Sequence, residues 1–240
     1  MKSTILCLLA CLSCLQMSLA QSKVYEDLSL KYVVRKPTKL DAKTPTLILM
    51  HGYGSNEGDL FGLETQLPKN FLVISVRAPY SLGGNSFEWF SLPESGSTIK
   101  ESEADLQKSV ALVKKFVAEV LAKFKTDPKQ VYLSGFSQGG MMAYSVGLTA
   151  PEMFKGIAPL GGRIFEVTKK EIKVSTPLKQ LRIFIGHGDQ DNRVAYKYAT
   201  DAEKYLKSLG LSPELHTYKG LGHSINAQEV MEVKKWLESN

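Results

Sequence analysis

Cysteine is scarce and confined to one end: the chain of 240 residues has three, at Cys7, Cys11 and Cys14. From Gln21 onward there is none, so that part can form no disulfide and must rely on an ordinary apolar core. A charge excess of one sign is missing too. The formal net charge is +6, with both signs spread along the chain and no dense basic run interleaved with aromatics. That argues against nucleic acid as a partner and reads as a solvated surface with some excess lysine. There is no internal repeat and no interdomain linker, so residues 21–240 read as one domain, and the chain as a whole is 43% hydrophobic, enough for a sizeable core. Histidine is limited to four residues, which narrows any search for a general base.

The first twenty residues differ from the rest. Lys2 gives a positive start, Ile5–Leu15 is mostly apolar, and Ser18-Leu19-Ala20 ends in small residues. This predicts a secretory signal cleaved after Ala20 and a secreted or periplasmic mature chain. The stretch is too short and too polar at its end for a stable membrane span. Leu8-Leu9-Ala10-Cys11 faintly resembles a lipoprotein cleavage site anchored at Cys11, but few apolar residues precede it; lipidation is the minority reading.

Beyond Gln21, apolar runs alternate with amphipathic stretches. Leu28–Val34 reads as an antiparallel edge strand, and Thr46–Met50 and Phe71–Val76 as buried parallel strands. Leu60, Phe61, Leu63 and Leu67 recur at roughly helical spacing. Ser81–Ser102 is the least regular part, with Phe87, Trp89 and Phe90 in an exposed-looking group beside Glu88. Glu103 opens a long amphipathic helix that Asp127-Pro128 ends, and Val131 opens the next strand. Phe154–Leu160, Leu181–Ile185 and Glu214–Tyr218 read as further strands, with helices over Tyr196–Leu209 and Ala227–Ser239; Val167–Gln180 is a basic connection of open structure. The alternation predicts a mainly parallel sheet covered on both faces, with any site at the carboxyl ends of strands.

The organising stretch is Val131–Gly140, VYLSGFSQGG. Gly135-x-Ser137-x-Gly139, set between an apolar strand and a run of helix-compatible residues, has the spacing of a nucleophile elbow. Small residues on either side let strand and helix pass closely while the serine takes a strained backbone conformation. A serine hydroxyl needs a base to take its proton, and the base needs a carboxylate to orient it. His51 precedes a glycine-rich turn, His187 follows a strand and reads as locally bonded, and His216 lies mid-strand. His223, between Gly222 and Ser224, is the best-placed base. The order Ser137, Asp191, His223 is that of an α/β-hydrolase. Asp189 shares a loop with Asp191, so spacing alone leaves the acid open, and Asp189 next to Gly188 reads as a turn cap. The two oxyanion donors are expected to be the backbone N–H groups of Gln138 and Tyr53.

HGYGSNEGDLFGL, RAP, a Trp-bearing loop, GFSQGG, HGDQDNRV and GLGHSI, in that order, resemble the phospholipase/carboxylesterase family of small α/β-hydrolases, over nearly all of residues 21–240. The resemblance implies an α/β-hydrolase fold with little lid, Ser137 as nucleophile, Asp191 as acid, His223 as base, and no metal or organic cofactor. Its second oxyanion donor falls on Tyr53, where relatives often carry leucine. The expected function is a secreted serine esterase acting on a small-molecule or lipid acyl ester. Thioesterase, lysophospholipase and polysaccharide or feruloyl esterase are the alternatives within the class. A non-catalytic carbohydrate- or lipid-binding protein and a peptidase are the rivals outside it. Phe87, Trp89 and Phe90 are candidate substrate contacts, equally readable as residues that pin their loop to the core.

Overall fold

A computed structural model of the protein describes residues 23–92 and 102–239. The expected leader, its cleavage point and the Cys11 anchor lie outside the described residues, as does the part of the irregular stretch from 93 to 101. The chain forms an α/β-hydrolase fold around one seven-stranded sheet. In chain order the strands are β1 (Tyr32–Arg35), β2 (Thr46–Met50), β3 (Leu72–Val76), β6 (Val131–Phe136), β7 (Gly156–Leu160), β8 (Arg182–Gly188) and β9 (Glu214–Tyr218). A separate hairpin supplies β4 (Tyr80–Gly83) and β5 (Ser86–Glu88). The spatial order is β1-β3-β2-β6-β7-β8-β9, with β1 antiparallel to β3 and every other neighbouring pair parallel.

The wholly apolar reading of β2 and β3 follows from this layout, because all five residues of each strand are buried. Alternation along the strand divides them between two faces. Ile48 and Met50 join Leu72 and Ile74 in the larger core, whereas Leu47 and Leu49 join Val73 in the smaller one. Helices α2 (Glu103–Phe124), α3 (Gln138–Thr149) and α6 (Lys197–Ser208) cover the first face through Phe116, Val117, Met142, Val146 and Leu206. On the second face, α7 (Ala227–Glu238) packs through Val233, Trp236 and Leu237. Ser102 caps α2 by accepting from Asp105 N–H, and Asn226 caps α7 by accepting from Glu229 N–H.

Several boundaries differ from the sequence expectation. The first strand opens at Tyr32, because Leu28–Leu30 bends away: the Ser29 N–H is bound by Glu119, and Leu30 turns into the core. The spacing at Leu60–Leu67 yields only α1 (Gly58–Phe61) and one 3₁₀ turn, Glu64–Gln66. The open connection at 167–180 holds two short helices, α4 (Glu166–Glu171) and α5 (Thr176–Gln180). The β4–β5 hairpin was illegible because most of β4 is exposed and shows no apolar alternation.

Candidate active site

The site is built at the carboxyl ends of β2, β6 and β8, as parallel sheets dictate. At the end of β6, Ser137 has φ 55° and ψ −118°, one of two non-glycine residues with positive φ among the described residues. This left-handed strain is tolerated because the neighbours lack side chains. A Cβ on Gly139 would collide with the Met50 carbonyl, and one on Gly135 would collide with the Gly139 backbone. Helix α3 begins at the next residue, and Ser137 offers it no side-chain cap. Its first N–H groups and its positive dipole end therefore open onto the site.

The fold brings His223 and Asp191 to this serine. Ser137 Oγ lies 2.9 Å from His223 Nε2, and His223 Nδ1 lies 2.7 Å from Asp191 Oδ2. The other carboxylate oxygen, Asp191 Oδ1, accepts the N–H groups of Arg193 and Val194, each at 2.9 Å. Burial opposes ionisation of Asp191, but the His223 bond and those two donors outweigh it and hold its pKa below the ordinary carboxylate value. His223 also packs against Phe136, ring centroids 4.8 Å apart. The arrangement can take a proton from the serine, store it on the imidazole and stabilise the resulting cation. Asp189 is not part of this chain. Its Oδ1 accepts the Gly220 N–H at 2.7 Å, bracing the loop that carries His223 instead of capping its own turn.

The remaining histidines have structural partners. His216 stacks on Phe184 and meets Glu232 Oε2 at 2.9 Å. His187 is buried, its Nε2 standing 2.7 Å from the Val194 carbonyl and 3.3 Å from Asp191 Oδ2; burial pushes its pKa down, which keeps it neutral beside the relay. His51 is buried as well. Its Nε2 accepts the Ala78 N–H at 3.0 Å, so its Nδ1–H donates to the Gly52 carbonyl at 2.7 Å. In a trans peptide that carbonyl and the Tyr53 N–H point in opposite directions. Fixing one therefore aims the other. No described group accepts the N–H of Tyr53 or Gln138, and both residues line the cleft.

The aromatic loop serves this turn from behind. Trp89 and Phe90 are fully buried and do not line the cleft. The reading of Phe87, Trp89 and Phe90 as substrate contacts is therefore corrected: packing inside the core removes Trp89 and Phe90 from any substrate, and Phe87 lies under the Arg77 guanidinium at 4.6 Å. Trp89 Nε1–H donates to the His51 carbonyl at 2.9 Å, and the Gln138 side chain accepts from Trp89 N–H and donates to the Phe90 carbonyl. Arg77 grips Glu57 with two bonds of 2.5 Å each. The Trp loop, the RAP segment and the His-Gly turn thus form one brace around the two unpaired N–H groups. Glu88, within the same loop, is buried as well.

The cleft itself has a volume of about 540 Å³, and Leu92, Phe136, Met141, Val194 and Tyr198 form its apolar wall, with Arg163 and Arg193 alongside. Sequence reasoning did not single these out. Arg163 does follow a strand-end Gly-Gly pair and Arg193 follows Asp191 by two positions, so both lie in post-strand turns, where a signal could have been found. Among the described residues, no group of three or more His, Cys, Asp or Glu side chains gathers to hold a metal ion, and no helix is long and apolar enough to cross a membrane.

The chain is similar over most of its length to proteins named as thioesterases and carboxylesterases. An acyl-protein thioesterase 1 of Mycosarcoma maydis is 30% identical over 232 residues, covering 87% of this chain and 96% of the relative. Carboxylesterase SOBER1 of Arabidopsis thaliana is 31% identical over 207 residues, covering 80% and 89%. The crystal structure of esterase PE8 superposes with a TM-score of 0.74 at 28% identity, covering 85% of this chain and 96% of that one. Residues 32–240 match the phospholipase/carboxylesterase family. With the fold and this match together, the chain belongs to the phospholipase/carboxylesterase family and is a serine hydrolase of carboxylic esters.

Proposed function

We propose that the protein hydrolyses carboxylic esters through an acyl-enzyme formed on Ser137. His223 Nε2 takes the Ser137 proton as Oγ attacks the ester carbonyl, and Asp191 holds the imidazole in the tautomer that can receive it. The Tyr53 and Gln138 N–H groups, unpaired at the cleft and aided by the α3 dipole, receive the oxyanion. His223 then gives its proton to the leaving alcohol. A water deprotonated by the same imidazole attacks the acyl group, releasing the acid and restoring Ser137–OH. The observation that carries this reading is the continuous bonding from Ser137 Oγ through His223 to Asp191, at 2.9 and 2.7 Å.

Ser137→Ala tests it. Turnover of p-nitrophenyl butyrate should fall by about 10⁴-fold or more with the thermal midpoint retained; full activity would overturn the mechanism. A thioester preference is the second reading, favoured by the relative named acyl-protein thioesterase 1. Rates on a matched oxoester and thioester of one acid decide between them. We further propose export of the mature chain after removal of residues 1–20, supported by the charge and apolar pattern of that stretch. Intact-mass analysis of exported protein beginning at Gln21 is the expected result.

A further inference from the structure

The proposed acid, Asp191, stands on the turn that follows β8. Its Oδ1 closes the 191–194 stretch on itself by accepting the Arg193 and Val194 N–H groups, each at 2.9 Å. Those bonds fix the shape of the turn but not its direction relative to the sheet. Two described hydrogen bonds tie it to β8. One is long, from the Asp191 N–H to the Gly188 carbonyl at 3.3 Å; the other joins His187 Nε2 to the Val194 carbonyl at 2.7 Å. A carbonyl only accepts, so Nε2 carries the ring proton. Nδ1 is buried with no hydrogen-bond partner among the described residues. Protonation there would leave a buried N–H unpaired, and burial of the ring acts in the same direction, so His187 stays neutral. The same Nε2 stands 3.3 Å from Asp191 Oδ2, the oxygen that meets His223 Nδ1 at 2.7 Å. The side chains of His187 and Asp191 are 0% and 1% exposed, so the N–H dipole acts on the carboxylate with little screening by water. For packing alone an apolar ring would fill this space without an idle nitrogen. What the imidazole adds is one N–H.

We propose that His187 is a positioning residue for the esterase reaction: through its Nε2–H it draws the Val194 end of the turn back onto β8, so that Asp191 Oδ2 faces the His223 ring. The proposal rests on the reading of Asp191 as the acid and adds a member behind it. His187 neither touches substrate nor moves a proton. Without its N–H the turn loosens and the carboxylate drifts from His223 Nδ1, and a misplacement of about 1 Å costs on the order of 10²-fold in rate.

The test uses the intact protein. In the wild type, NMR of 15N-histidine-labelled protein should show His187 protonated at Nε2 and bare at Nδ1, without titration between about pH 5 and 8; a proton on Nδ1 overturns the proposal. His187→Leu removes the donor, whereas His187→Gln keeps an N–H at the reach of Nε2. Turnover of p-nitrophenyl butyrate is counted per Ser137 titrated to completion with a fluorophosphonate. In His187→Leu kcat should fall about 10- to 100-fold with KM within about twofold, and His187→Gln should recover most of that loss. The far-downfield proton signal of His223 Nδ1–H should weaken or move upfield in His187→Leu and return in His187→Gln. If His187→Leu does not fold, His187→Asn, whose shorter amide falls short of the Val194 carbonyl, takes its place with the same expected losses. Lower thermal stability with wild-type kcat per titrated site and an unchanged His223 signal assigns His187 to packing and overturns the proposal, as does His187→Gln being as slow as His187→Leu. The underlying reading fails separately. Wild-type kcat in Asp191→Asn, or a wild type with neither ester turnover nor a Ser137 adduct, removes Asp191 or Ser137 from the mechanism and this inference with it.

Discussion

Asp191 and Asp189 stand two positions apart on one loop, and the surroundings of each carboxylate give them different work. Asp191 is bound by His223 Nδ1 and two backbone N–H groups, whereas Asp189 binds only the Gly220 N–H in the described structure. Asp191→Asn should leave the fold intact and favour the wrong imidazole tautomer, lowering kcat by up to about 10⁴-fold. Asp189→Asn loses an acceptor that an amide oxygen can replace, so a change within about tenfold is expected. Kinetics of both variants on one short-chain ester, with circular dichroism to confirm folding, make the comparison. From spacing alone this choice was open, because both residues follow β8 and only the fold shows which carboxylate faces the imidazole. The serine was legible, since its glycine neighbours are required by close backbone approach. The cleft arginines were not, because an exposed arginine leaves no periodic pattern.

At the scale of elements, the strand-and-turn brace behind the Tyr53 and Gln138 N–H groups is a device of loops, not of regular structure. Gln138 contributes a backbone N–H to the cleft and, through its side chain, ties α3 to the Trp89–Phe90 backbone. Gln138→Ala keeps the N–H and removes the tie. It should lower kcat on p-nitrophenyl butyrate by about 10- to 100-fold with little change in KM, because the loss falls on an interaction made in the transition state. An unchanged kcat would show that the brace is dispensable. The buried strands β2, β3 and β6 and the long helix α2 were readable because full burial on two faces, or an apolar stripe on one, leaves a clear pattern. The aromatic loop left two readings open for the same reason in reverse: Phe87, Trp89 and Phe90 sit among Gly, Ser and Pro, a composition that reads as surface, and only the fold shows Trp89 and Phe90 pinning the loop to the core.

For the molecule as a whole, Glu229, a buried acid outside the relay, makes stability respond to alkali. Glu229, in the first turn of α7, packs against Gly186, and burial, only partly offset by the Asn226 N–H, pushes its pKa up to about 8. Its unfolded-state value is lower, so the folded state binds the proton more tightly, and this contribution to stability is complete below the unfolded value and lost as pH rises through the folded one. Between the ordinary glutamate value of 4.5 and about 8, stability should fall by an amount on the order of 3–5 kcal/mol. Glu229→Gln removes that slope, and thermal melts should show the variant gaining on wild type at pH 9 relative to pH 5; parallel curves at both pH values would contradict the assignment. The central claim, that Ser137 is the nucleophile of a serine esterase, is tested most directly by covalent capture. Wild-type protein treated with a fluorophosphonate should take up one equivalent, mapped by peptide mass spectrometry to Ser137, and uptake should be greatly slowed in His223→Ala. No adduct, or an adduct on a different serine, would contradict the account.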